Sequence, residues 1–112
     1  MISYLIIVLF TLAVLLGMYL LSFVVRAKET PKSIAFFHGI VAATALIMLI
    51  IYSVDKNERI VASAVILTFA AVGGIIYFIK DITGKPLPKW FAITHGLVAE
   101  IGFIVFLFYL YT

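Results

Sequence analysis

The 112-residue chain contains no cysteine. That excludes disulfides, thiolate metal sites, iron–sulfur clusters and cysteine-linked haem together. Charge is scarce too. Asp, Glu, Lys and Arg make up 12% of the residues, against about 25% in an ordinary soluble domain. The alternating polarity of membrane strands is missing, and so are a phosphate-cradling glycine loop and a nucleophile–base pair. What the chain has in quantity is hydrocarbon, with 66% of its residues apolar. A soluble domain this small leaves much of its surface in water and cannot hide so much apolar area. Soluble enzymes, nucleic-acid binders and disordered tails are thereby excluded, and a lipid bilayer is the expected environment.

A helix needs about 20 apolar residues to cross the hydrocarbon core. Four stretches qualify: Met1–Val25, Ser33–Val54, Ile60–Ile79 and Trp90–Thr112. Backbone inside lipid must satisfy its own hydrogen bonds, so these read as helices. The predicted fold is an all-α membrane protein forming a single transmembrane domain over residues 1–112. Without a positive leader, and too long for a signal core, the first stretch is expected to be retained. The loop Arg26–Lys32 carries Arg26, Lys28 and Lys32 against Glu29. The loop Lys80–Lys89 carries Lys80, Lys85 and Lys89 against Asp81. The loop Asp55–Arg59 is balanced. The excess of cations places the first and third loops in the cytoplasm and both termini on the other side, as in a bacterial inner membrane. Pro31 and Pro88 fall where the second and fourth helices begin, a position proline tolerates.

The sequence also repeats itself. A shift of 57 residues lays repeat 1 (1–55) on repeat 2 (58–112). Val8 then meets Val65, Thr11 meets Thr68, Ala13 meets Ala70, Gly17 meets Gly74 and Lys28 meets Lys85. The block Pro-Lys-x-x-Ala-x-x-His-Gly-x-Val-Ala occurs twice, at Pro31–Ala42 and Pro88–Ala99, and Ile47/Ile104 and Tyr52/Tyr109 also coincide. The only two histidines coincide, as do two of the three prolines. Apolar composition alone does not produce that. Each repeat unit is a two-span hairpin, so both copies enter the membrane in the same sense, related by a pseudo-two-fold axis along its normal.

An ionisable side chain inside a membrane is expensive and marks a functional site by default. His38 and His95 lie at equal depth, each roughly 8–9 Å into its helix at 1.5 Å per residue. Ala35, Ala42 and Ala45 share a face with His38; Ala92, Ala99 and Gly102 share one with His95. Gly39 and Gly96 follow the histidines directly. Gly17 and Gly74 fall within about one turn of the same depth. Small residues of this kind serve close helix packing, and they also suit the faces of a flat macrocycle. Haem b is such a macrocycle, and neutral imidazole is a usual ligand of its iron. His38 and His95 are the candidate axial ligands, with Gly39, Gly96, Gly17 and Gly74 against the cofactor. Lys32 and Lys89 would meet its propionates, and Phe36, Phe37, Trp90 and Phe91 would form its walls.

This arrangement resembles the small helical-bundle membrane b-type cytochromes, in which histidines of different helices hold haem within four helices. The resemblance implies electron transfer or haem holding, with a quinone or a redox protein as partner. Both one haem per monomer and sites shared in a homodimer remain open. Glu100 carries a rival reading. It is the only carboxyl group inside a span, its repeat counterpart is Ala43, and it sits about 140° around the helix from His95. A small proton-coupled transporter would use such a group, and the chain resembles the small multidrug-resistance transporters in size. A non-catalytic accessory subunit, in which the histidines only pin helices together, is a further alternative.

Overall fold

The computed structural model describes residues 1–54 and 58–112. Over these residues the chain is all-helical: α1 (Ile2–Val25), α2 (Lys32–Ser53), α3 (Glu58–Ile82) and α4 (Lys89–Leu110). Each helix is long and apolar enough to cross a membrane. The ends agree with the four predicted spans to within one turn. Of the loop assigned to Asp55–Arg59, residues 55–57 lie outside the described residues, while Glu58 and Arg59 belong to α3. The bundle measures 42 × 21 × 20 Å. Its long axis matches the roughly 40–45 Å of a bilayer with its headgroups. Large hydrophobic side chains such as Val8, Leu15, Ile47, Phe69 and Ile104 cover the outside.

The helices form a ring in which α1 packs on α2 and α4, and α3 packs on the same two. Neither diagonal pair, α1/α3 or α2/α4, brings its backbones close. Both hairpins turn in the same way. At the end of α1, Lys28 N–H donates to Phe23 C=O (2.8 Å) and Ala27 N–H to Val24 C=O (3.0 Å). At the end of α3, Lys85 N–H donates to Lys80 C=O (2.9 Å) and Gly84 N–H to Asp81 C=O (3.3 Å). This six-to-one closure needs a left-handed residue after the helix. Gly84 supplies it at φ 76°, and Ala27 supplies it at φ 56°. Pro31 and Pro88 then cap α2 and α4, and their carbonyls accept from Ala35 and Phe91 N–H.

The interior has two levels. One end of the bundle is filled by large side chains: Ile6, Phe10, Leu49, Ile60, Leu67 and Phe106, with Ala45 and Ala64 between them. Phe10 adds a tilted ring contact with Phe103 at 5.6 Å. Ser53 and Ser63, the buried polar residues here, return their hydroxyl protons to carbonyls of their own helices, so burial leaves no orphan donor. Toward the loops that join α1 to α2 and α3 to α4, the side chains shrink to Ala13, Gly17, Ala70 and Gly74. That second level houses the histidines.

Candidate functional site

His38 on α2 and His95 on α4 project from diagonally opposite helices into the space between them. Their ring centroids are 6.4 Å apart and their planes cross at 86°. The sequence expectation that the two would meet at one depth describes this geometry. Large residues on α1 and α3 at this level would fill the centre, and glycine leaves it free. A Cβ on Gly17 would sit 3.2 Å from His38 Cε1, and one on Gly74 only 2.8 Å from His95 Cε1. Each imidazole therefore rests against the bare backbone of its hairpin partner.

A backbone carbonyl orients one of the two rings. His95 Nδ1 lies 2.8 Å from Ala70 C=O. A carbonyl only accepts, so Nδ1 carries the proton and a neutral ring presents the Nε2 lone pair. No hydrogen bond among the described residues engages Nε2 of either histidine. On the other side, the Ala13 carbonyl stands beside His38. Yet His38 Nδ1, fully buried, completes no hydrogen bond. Ala13 and Ala70 carry no side-chain signal for this role. The repeat pairs the two positions.

The remaining candidates are placed less centrally. Gly39 and Gly96 face open space, where a Cβ would meet nothing within 4 Å. Phe36, Phe37 and Trp90 are largely exposed; Phe36 meets Phe78 at 6.4 Å, and Phe91 stacks on Tyr77 at 6.2 Å. Lys32 is engaged by Asp81 at 2.6 Å, with Thr30 donating to the same carboxylate at 3.0 Å. Lys89 donates to Val25 C=O at 3.3 Å. Both lysines thus tie the start of one hairpin's second helix to the end of the other hairpin's first. Glu100 is exposed on the outer surface of α4, away from the imidazoles, and makes no hydrogen bond or ion pair among the described residues. A groove of about 160 Å³, lined by Ala70, Gly73, Trp90, Phe91 and His95 among others, runs between α3 and α4 beside His95.

A pair of imidazoles with free Nε2 atoms can share a proton, hold water or bind a metal. Two in-line imidazoles on one metal put their centroids roughly 6 Å apart, from two bonds of about 2 Å and two ring radii of about 1 Å. The observed separation is 6.4 Å, with the rings edge to face. The proton on His95 Nδ1, held by a carbonyl, is the usual outer support of a metal-bound histidine. Among the described residues, no third His, Cys, Asp or Glu joins the pair. The donor set therefore fits a group that needs only two protein ligands. Comparison of the chain with protein-family models, curated proteins and solved structures gives no match.

Proposed function

We propose that the protein is an integral membrane haem b protein in which His38 and His95 are the two axial ligands. The observation that carries the reading is the pair of imidazoles brought within 6.4 Å of each other, edge to face, from diagonal helices. A bare zinc ion would call for three or four protein ligands. Haem brings four nitrogens of its own and needs two more. In this reading the hairpins are related by a pseudo-two-fold axis through the iron. Support comes from the interior, where buried positions pair under the same 57-residue shift: Ile6 with Ser63, Phe10 with Leu67, Ala13 with Ala70, and Leu49 with Phe106.

Haem b, when bound, supplies one-electron chemistry. The chain's own residues do the rest. The Nε2 atoms of His38 and His95 would hold the haem iron, and an iron held by two histidines would favour electron transfer or haem holding over oxygen binding. The carbonyl of Ala70 fixes the orientation of the His95 ring and keeps its Nδ1 out of competition. Gly17 and Gly74 keep α1 and α3 from displacing the rings. The groove beside His95 is smaller than the roughly 300 Å³ at which pockets for drug-sized ligands begin, so seating the macrocycle requires the lining side chains to move aside. The cations at the same end support a location toward the cytoplasm, where a quinone or a redox protein could reach it.

The test is an absorption spectrum of the purified protein, supplied with haem, beside His38→Ala and His95→Ala. The wild type should show a Soret band and low-spin features. Each single variant should lose the pigment or turn high-spin, while keeping the helical content of the wild type. A colourless wild type, or a variant with an unchanged spectrum, overturns the assignment.

A further inference from the structure

Independently of the histidines, we infer that two copies of the chain associate through the outer face of α4, with Glu100 of each copy meeting Glu100 of the other. The face is a seam. Ile93, Leu97, Glu100, Ile104 and Phe108 recur at steps of three and four residues, so they line one side of the helix, and all five are exposed. Glu100 sits at its middle, about 15 Å from either end of α4 at 1.5 Å per residue. That is too deep for a short side chain to reach the headgroups.

The comparison within the chain is decisive. The same seam exists on α2, one repeat earlier, as Phe36, Ile40, Ala43, Ile47 and Ile51, again all exposed. That seam is wholly apolar, and lipid tails can cover it without an unmet polar group. On α4 the one difference that matters is a carboxyl group where α2 has Ala43, and lipid offers it nothing. The occupant must therefore bring a polar group to mid-membrane depth.

A second copy does so by geometry alone. Two identical chains crossing the membrane in the same sense carry every residue at the same depth, and a two-fold contact sets each residue against itself. An α4–α4 contact on this seam hence brings the two carboxyls together. The described spans carry no Lys or Arg at that depth, so the complement is the other carboxyl group. Gly96, one turn away on the flank of the seam, faces open space and lets the second backbone approach. A single polar residue in an otherwise apolar seam also fixes its register.

The absence of cysteine makes the test clean. Leu97→Cys and Ile104→Cys, in membranes, should cross-link into a dimer of this chain. Ile40→Cys and Ile47→Cys, at the same depths on α2, should not. Glu100→Leu should raise the dimer's dissociation constant about five- to thirtyfold, the range one interhelical side-chain hydrogen bond gives in lipid. Glu100→Gln, which keeps hydrogen bonding, should preserve the dimer. Three results overturn the inference: equal cross-linking from α2 and α4, cross-linking only to a protein of another mass, or a dimer indifferent to Glu100→Leu.

Discussion

Ala27 holds a backbone conformation that a side chain resists. Its φ of 56° lies in the left-handed region, where its repeat counterpart is Gly84 at 76°. A Cβ there costs about 1 kcal/mol or more. Ala27→Gly should therefore raise the unfolding midpoint in detergent, and Gly84→Ala should lower it by about 1 kcal/mol in stability. The glycines beneath the imidazoles give a graded pair. At Gly74 a Cβ would stand 2.8 Å from the His95 ring, and at Gly17 3.2 Å from the His38 ring. Gly74→Ala should cost about 1–3 kcal/mol, the usual range for overpacking, and Gly17→Ala less. Thermal unfolding of the two variants checks the order. The histidines themselves were legible in the sequence, because two rare polar residues falling on each other under one shift is a strong signal. The carbonyls of Ala13 and Ala70 were not, since every residue has a carbonyl and only the fold decides which one meets a ring.

The four helices were readable to within one turn, because uncharged runs bounded by lysines and prolines leave little choice in lipid. What joins one hairpin to the other was not readable. Lys32 and Lys89 looked like partners for propionates, yet each is tied to the opposite hairpin, one through Asp81 and the other through the Val25 carbonyl. Asp81 aligns with Val24 in the repeat, so the periodicity that exposed the histidines hid this contact. The Lys32 side chain is 42% exposed and the Asp81 side chain 17%. Ion pairs at such a rim contribute little, so Asp81→Ala should cost under about 1 kcal/mol, read as a small shift in unfolding midpoint. Of the aromatics near the histidines, Phe36 and Phe37 are largely exposed, while Trp90 and Phe91 line the groove beside His95.

At the scale of the whole molecule, the plug of large side chains holds the bundle together. Phe106 is completely buried, and Phe106→Ala should be the most destabilising of the substitutions discussed, at about 3 kcal/mol or more from the cavity it leaves. Unfolding in detergent, measured beside Asp81→Ala, checks this ranking. The plug has a second effect. Ile6, Phe10, Leu49 and Phe106 stop up one end of the barrel of helices, like sediment at the foot of a flask. Water or a solute reaching the imidazoles would then come by the lysine-bearing neck or sideways past Trp90, since the packed end leaves no way through.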